Sequence, residues 1–195
     1  MGIKKLVSYG LRTLAVVVGL LSLILLAAAV LEGQFEDLTG QAYHGDVVAQ
    51  TKLGLMYEQG SGVPQDFDQA MKWYRKAAKQ GYSEAYIRIG SLYHNGTGVV
   101  QDFKEAIQWY RKAADQSDAT AQFLVGEAYY LGQGVKQDAV QSLMWYTLAA
   151  ERGHQEAIKM RDRLIDPPWW NDVVLTREQI VKAQELARHW QPARP

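Results

Sequence analysis

Apolar residues recur along this chain with a period of 36 residues between about residue 42 and residue 165. Each period contains one helix-spaced apolar stretch with alanine, glycine and tyrosine, and a second with tryptophan, tyrosine and an alanine pair. Self-similarity at such a period is typical of a solenoid. We therefore expect three full units, at about 46–81, 82–117 and 118–153, and a partial fourth at 154–165. The aligned positions include Ala49/Ala85/Ala121/Ala157, Gly54/Gly90/Gly126, Tyr57/Tyr93/Tyr129, Trp73/Trp109/Trp145 and Tyr74/Tyr110/Tyr146.

Each unit is predicted to contain two antiparallel helices joined by a glycine turn. In the first helix, the pattern A-x-x-x-[LIV]-G-x-x-Y places its fixed residues on one face. A glycine in mid-helix costs about 1 kcal/mol relative to alanine, so its recurrence indicates close helix–helix approach. Gly81, Ser117 and Gly153 follow the second helices, where a left-handed residue is expected. The second helices are predicted to begin at an aspartate with a capping-box-like partner, in the pairs Asp66/Gln69, Asp102/Glu105 and Asp138/Gln141.

An apolar stretch of 19 residues without a charge, residues 13–31, precedes the repeats. As a helix it would be about 28 Å long, close to the roughly 30 Å hydrocarbon thickness of a bilayer. Basic residues precede it and acidic residues follow it, so the positive-inside rule predicts that residues 1–12 are cytoplasmic. Residues 32–41 are then a linker on the other side of the membrane. The alternative is a signal peptide cleaved near Ala27-Ala28-Ala29, although its apolar region normally has about 7–15 residues.

The C-terminal residues 166–195 are predicted to form a capping segment and a final helix. Thr176 is a candidate N-cap with Gln179 as its capping-box partner, and Leu175 and Ile180 occupy the hydrophobic-staple positions. The pair Trp169-Trp170 has two interpretations. The indoles either cover the apolar end of the solenoid or anchor a partner or a membrane interface.

Composition and motifs exclude several classes of function. Lys and Arg total 21 and Asp and Glu total 21, and this balance argues against a nucleic-acid partner. The chain has no cysteine, so it has neither disulfides nor cysteine-ligated metals. The G-x-G turn joins two helices and lacks a Walker lysine, so we interpret it as a bend rather than a phosphate-binding loop. The histidines His44, His94, His154 and His189 form neither H-E-x-x-H nor an i, i+4 pair. We therefore predict no catalytic residue, no metal and no cofactor.

The repeated unit A-x-x-x-L-G-x-x-Y-x-x-G-x-G-V-x-x-D-x-x-x-A-x-x-W-Y-x-x-A-A resembles the Sel-one-like repeat, a relative of the tetratricopeptide repeat. The resemblance covers about residues 42–165. It implies an all-α fold, a right-handed α/α superhelical solenoid of 36-residue helix-turn-helix repeats, here preceded by one transmembrane helix. It also implies a scaffold that binds proteins.

In related superhelices the first helices line the concave side, and a partner segment lies along it. The non-framework positions of the three first helices are therefore the candidate partner-binding residues. They form a mixed, mostly polar strip with a few apolar anchors, which suits a protein or peptide better than a buried small molecule. These positions are Lys52, Leu55, Glu58, Arg88, Ser91, His94, Leu124, Glu127 and Tyr130, with Trp169 and Trp170 as secondary candidates.

These observations favour a non-catalytic scaffold or adaptor in a bacterial inner membrane, with the repeats in the periplasm. The alternative location is a domain secreted to the periplasm after signal-peptide cleavage. One alternative function is a regulatory subunit of an envelope secretion or polysaccharide-assembly complex, held by its transmembrane helix as well as its groove. The other is a hydrolase, a role claimed for some members of the family.

Overall fold

The computed structural model describes residues 35–167 and 174–192, together with the isolated positions 18, 20–22 and 33. All regular secondary structure in these ranges is helical, which confirms the predicted all-helical repeat solenoid. Each repeat contains two helices of 12 or 13 residues. The helices are α1 (Val47–Gln59), α2 (Phe67–Lys79), α3 (Ser83–Asn95), α4 (Phe103–Ala114), α5 (Ala119–Leu131), α6 (Ala139–Glu151), α7 (Gln155–Ile165) and α8 (Arg177–His189).

The helices pack in chain order. Within the repeats, α1 packs on α2, α3 on α4 and α5 on α6, and each second helix then packs on the first helix that follows it. The core lies between these layers. Tyr74 and Tyr146 are fully buried, and Trp73, Tyr110 and Trp145 are nearly so. These five recurrent aromatic residues of the second helices are therefore core residues, whereas Trp109 is half-buried and packs against the edge of a core cluster.

The mid-helix glycines allow the close approach that the sequence predicts. A Cβ atom added to Gly54 would lie 2.6 Å from a ring carbon of Tyr74. The equivalent Cβ atom would lie 2.5 Å from the Tyr110 ring at Gly90 and 2.8 Å from the Tyr146 ring at Gly126. Any larger residue at these positions would overlap the tyrosine of its own repeat. The glycine therefore determines how close the two helices of a repeat can lie.

The second helices begin at the predicted aspartates but without the predicted reciprocal capping box. The side chain of Asp102 accepts hydrogen bonds from the backbone N–H groups of Lys104 and Glu105, and Asp66 and Asp138 cap their helices similarly. The backbone N–H of Asp102 donates instead to the carbonyl oxygen of Tyr93 in the preceding helix. No donor is left for Glu105, whose carboxylate accepts from the Trp109 indole at 3.0 Å. The complete capping box is observed at Thr176 and Gln179, where the sequence also predicts it.

The turns after the second helices have the predicted left-handed conformation. Gly81 and Gly153 have φ values of 82° and 83°. Ser117 occupies the equivalent position with φ of 65°, and no other described non-glycine residue has a positive φ. The repeat geometry therefore imposes this backbone conformation even where the residue is not glycine.

A helical segment, residues 35–43, leads into the first repeat and overlaps the range assigned to a linker. Ala42 is almost fully buried, and the Tyr43 ring lies edge-on to Trp73 at 5.1 Å. This segment occupies the place of a second helix before α1. The sequence contains a signal for it, because Ala42 and Gly45 lie 36 residues before Ala78 and Gly81.

The C-terminal end of the repeats is covered by α7 and α8, which both pack on α6. Leu164, Leu175 and Ala183 are buried in one cluster with Tyr146, and the Trp190 ring lies edge-on to Trp145 at 5.9 Å. Trp169 and Trp170 lie outside the described residues.

The predicted membrane-spanning helix, residues 13–31, also lies outside the described residues except for four positions. Within the part of the chain that is described, no helix is both long enough and apolar enough to cross a membrane.

Replacing Gly90 by alanine tests the close approach of α3 and α4. Helix propensity alone would favour alanine by about 1 kcal/mol. Because the added methyl group would overlap the Tyr110 ring, we expect Gly90→Ala to lower the free energy of unfolding by about 1–3 kcal/mol. Urea denaturation followed by circular dichroism measures the change.

The matched control is Gly40→Ala, because Gly40 is helical and has open space around its Cβ position. We expect this change to be neutral or stabilising by up to about 1 kcal/mol. Equal effects of the two substitutions would contradict the proposed role of the glycine.

Candidate functional site

The nine candidate partner-binding residues lie on the first helices of the three repeats. Three lie on α1, three on α3 and three on α5, at equivalent positions within each helix. Lys52 is exposed and the other eight are half-buried. We call this surface the first-helix face. Its half-buried side chains are accessible to a partner yet supported by the core beneath them.

Core tyrosines of the second helices direct their hydroxyl groups toward the first helices. The environment of these hydroxyl groups differs from repeat to repeat. The Tyr74 hydroxyl donates a hydrogen bond of 2.5 Å to the Glu58 carboxylate. The Tyr110 hydroxyl donates a longer one of 3.4 Å to the Ser91 hydroxyl. The Tyr146 hydroxyl is buried without a hydrogen-bond partner of good geometry, although Ser142 lies near it. The sequence pattern predicts only that these tyrosines belong to the core. The one sequence signal for the hydrogen bond between Tyr74 and Glu58 is their 16-residue spacing, which places them on the two helices of one repeat.

Burial keeps these hydroxyl groups neutral. Burial raises the pKa of Tyr74, and the hydrogen bond to Glu58 and the charge of that carboxylate raise it further. Burial also raises the pKa of Tyr110 and of Tyr146. The three tyrosines therefore act as neutral hydrogen-bond donors near pH 7, and none is activated as a nucleophile or a base.

The structure brings His94, Leu124 and Glu127 together around a depression between α3 and α5. Tyr110 and Ala106 form its floor. The His94 ring lies edge-on to Phe103 at 5.1 Å and is 6.5 Å from the Tyr110 ring. The cavity volume is only about 10 Å³, which is room for at most one water molecule. This part of the face therefore suits surface contact rather than enclosure of a small ligand.

Arg88 and Lys52 lie apart from that depression. The Arg88 guanidinium forms an ion pair of 2.8 Å with Glu84, one turn earlier on α3. Lys52 lines an open cavity of about 660 Å³ at the N-terminal end of the repeats, together with Leu38 and Met56. The nine predicted residues thus occupy equivalent positions on three helices, but they do not line a single pocket.

The histidines have local structural contacts. His154 caps α7 by accepting a hydrogen bond from the Ala157 backbone N–H, and its ring stacks on Phe123 at 4.6 Å. The rings of His44 and His189 each lie within hydrogen-bond distance of a backbone carbonyl four residues earlier. In the described ranges, no three His, Asp or Glu side chains are grouped so that they could hold a metal ion.

Sequence and structure comparisons agree on the family. The sequence model of the Sel1 repeat matches residues 47–82, 83–118 and 119–154. The chain belongs to the Sel1 repeat family. Proteins of this family are generally protein-interaction scaffolds and generally non-enzymatic. No curated protein matched the chain in the corresponding comparison.

Solved structures of Sel1 repeat proteins are similar to this chain. A Sel1 repeat protein from Oxalobacter formigenes is 36% identical, with a TM-score of 0.61, over 66% of this chain and 97% of the other. A protective antigen present in uropathogenic Escherichia coli strains, with the same fold, is 39% identical over 77% of this chain, with a TM-score of 0.66. This chain covers 33% of that antigen. Cysteine rich protein B of Helicobacter pylori is 23% identical with a TM-score of 0.53, a likeness of fold alone.

The environments of the tyrosine hydroxyls predict opposite effects for one substitution in two repeats. Tyr74→Phe removes a hydrogen bond to a carboxylate, so we expect the free energy of unfolding to fall by about 1–3 kcal/mol. Tyr146→Phe removes a buried hydroxyl that has no good partner, so we expect a change within about 0.5 kcal/mol or a gain. Urea denaturation of both variants makes the comparison, and a larger loss for Tyr146→Phe would contradict it.

The raised tyrosine pKa values also predict alkaline sensitivity. A group whose pKa is higher in the folded state than in the unfolded state stabilises the fold fully below the unfolded-state pKa, here about 10 for tyrosine. That contribution is lost as the pH rises above this value. We expect wild-type stability to fall above about pH 10, and to fall less steeply in Tyr74→Phe. Denaturation midpoints between pH 8 and pH 11 measure both slopes, and identical slopes would contradict the prediction.

Proposed function

We propose that this protein is a non-catalytic adaptor that binds a segment of a partner protein along the first-helix face. One observation carries the proposal. Equivalent positions of this face hold different side chains in each repeat, Glu58, His94 and Tyr130 for example, while the glycine and tyrosine beneath them do not change. A position that the architecture does not fix is available for recognition.

The chemistry of the face favours a polypeptide partner. It combines apolar side chains, an ion-paired arginine, a histidine and the hydroxyl groups of tyrosines whose rings are buried in the core. The depression between α3 and α5 is too small to enclose a ligand, and this also favours contact with a surface-bound chain.

We further propose that residues 13–31 tether the protein to a bacterial inner membrane, with residues 1–12 in the cytoplasm and the repeats in the periplasm. The uncharged apolar run and the charge difference across it support this proposal. Cleavage of the same segment as a signal peptide would also leave the repeats in the periplasm. Replacement by an unrelated membrane anchor separates a simple tether, which should tolerate the exchange, from a regulatory subunit whose helix itself binds a partner.

The experiment is in-cell crosslinking of the full-length protein, followed by affinity purification and mass spectrometry. The test variant carries Arg88→Ala, His94→Ala and Tyr130→Ala, two changes on α3 and one on α5. The control carries Lys104→Ala, Gln108→Ala and Lys182→Ala, three exposed positions outside the first-helix face. We expect at least one partner to be recovered with wild type and control and lost with the test variant.

Recovery of the same partners with all three proteins would show that the first-helix face is not the binding surface. Circular dichroism of the purified variants verifies that each one is folded. Loss of a partner from an unfolded variant is discounted, and the single substitutions are then compared instead.

A further inference from the structure

The exposed side of α2 carries a concentration of positive charge that the adaptor site does not use. Lys72, Arg75, Lys76 and Lys79 are all exposed on this 13-residue helix, whose one acidic residue is Asp68. The ion pairs of the described residues all lie elsewhere. The Arg75 guanidinium contacts the neutral Tyr93 hydroxyl at 3.4 Å, so its charge is not compensated there. We call these four cations, with Tyr43 and Trp73 beside them, the α2 basic face.

Aromatic rings hold one of these cations in place. The Lys76 ammonium nitrogen lies 3.7 Å from the centre of the Trp73 ring and 4.9 Å from that of Tyr43. Tyr43 is 70% exposed and belongs to the helical segment 35–43. A cavity of about 450 Å³ lies along this surface and is lined by Tyr43, Trp73 and the four cations, together with Gln69. Because the rings limit the motion of Lys76, less side-chain entropy is lost when an anion binds.

The repeat architecture does not require these charges. The same four positions in the second repeat, 36 residues later, hold two cations in place of four. In the third repeat, after a further 36 residues, none of them holds a cation. The corresponding residues are Gln108, Arg111 and Lys112 on α4 with its C-cap Asp115, and Met144, Thr147, Leu148 and Glu151 on α6. The charge is therefore a feature of the first repeat and not of the fold.

We propose that the α2 basic face binds an acidic polypeptide segment. Lys72, Lys76 and Lys79 follow one side of the helix over seven residues, which is about 10 Å. The matching partner is a chain with three or more carboxylates along one side over the same length, such as a helix with glutamates at i, i+4 and i+7. A cavity lined by Tyr43 and Trp73 can accommodate the side chains of a polypeptide, whereas the flat surface of a bilayer would not fill it. This inference rests on the proposed adaptor function and gives the protein a second binding surface of defined charge.

The test uses the full-length protein in nanodiscs of neutral lipid and fluorescence anisotropy of labelled peptides. The probe is a 20-residue helical peptide with glutamates on one side. Its matched control has the same composition with the glutamates distributed around the helix. The test variant is Lys72→Glu/Lys76→Glu/Lys79→Glu. The control variant, Lys104→Glu/Lys136→Glu/Lys182→Glu, changes the net charge equally at exposed positions outside the α2 basic face.

We expect the wild type and the control variant to bind the one-sided peptide and the test variant to bind it at least about tenfold more weakly, since three exposed charge pairs are reversed. The distributed peptide should bind several-fold more weakly than the one-sided peptide, and affinity should fall with added salt. Lys72→Ala/Lys79→Ala, which keeps Lys76 on its rings, should show an intermediate loss and so guards against unfolding of the test variant.

No binding of either peptide, or equal loss in the test and control variants, would overturn the inference. Capture of vesicles containing anionic lipid by the wild type in its neutral nanodiscs, but not by the test variant, without peptide binding would assign the surface to a membrane instead. The Arg88→Ala/His94→Ala/Tyr130→Ala variant keeps the α2 basic face intact and should bind the one-sided peptide normally. Its result therefore separates failure of the first-helix face from failure of this inference.

Discussion

The contact between a glycine on one helix and a tyrosine on the next is the interaction on which the rest of this structure depends. In each repeat the tyrosine ring occupies the space that any Cβ atom on the glycine would need. The ring is thereby buried against bare backbone, where it contributes apolar area and brings the two helices together. Repeating this contact at Gly54, Gly90 and Gly126 gives three helix pairs of the same shape. Identical pairs then stack through the same surfaces, as a solenoid requires.

The same contact links the core to the candidate binding surface. A tyrosine that packs against the first helix carries its hydroxyl to the first-helix face. The hydroxyls of Tyr74 and Tyr110 donate to Glu58 and Ser91, whereas the buried hydroxyl of Tyr146 has no hydrogen-bond partner of good geometry. The three rings nevertheless pack on their glycines in the same way. The buried rings stabilise every repeat in the same way, whereas the hydrogen bonds of the hydroxyls differ from repeat to repeat. A solenoid can therefore change its surface from one repeat to the next without altering its packing.

Much of this architecture could be predicted from the sequence because the same local patterns occur in all three repeats. The helix pairs, the aspartate caps, the left-handed turns, the close helix approach at the glycines and the Thr176 cap all follow from local patterns that the structure confirms. The reciprocal capping boxes were wrong, because the Asp102 backbone N–H finds the Tyr93 carbonyl in the preceding helix. That contact is tertiary and has no local signature. The linker predicted for residues 32–41 is helical from residue 35 onward, and the only sequence signal for this helix is the spacing of Ala42 and Gly45 from Ala78 and Gly81. The nine residues of the first-helix face stay a prediction as a binding site.

Comparison of the repeats with one another separates the residues that the fold requires from those it does not. Where all three repeats share a residue, as at Tyr74, Tyr110 and Tyr146, the fold explains it. Where the repeats differ, the residue must be explained by what packs against it in that repeat. Met144 and Leu148 are buried in the third repeat, in one cluster with Ala187 of α8, so their apolar character follows from the end of the solenoid. Lys72 and Lys76 hold the same positions in the first repeat, beside the helical segment 35–43, and no packing requirement explains their charge. Repulsion among four unpaired cations on one helix opposes folding. Retaining them where the architecture permits neutral residues points to a partner that carries the opposite charge.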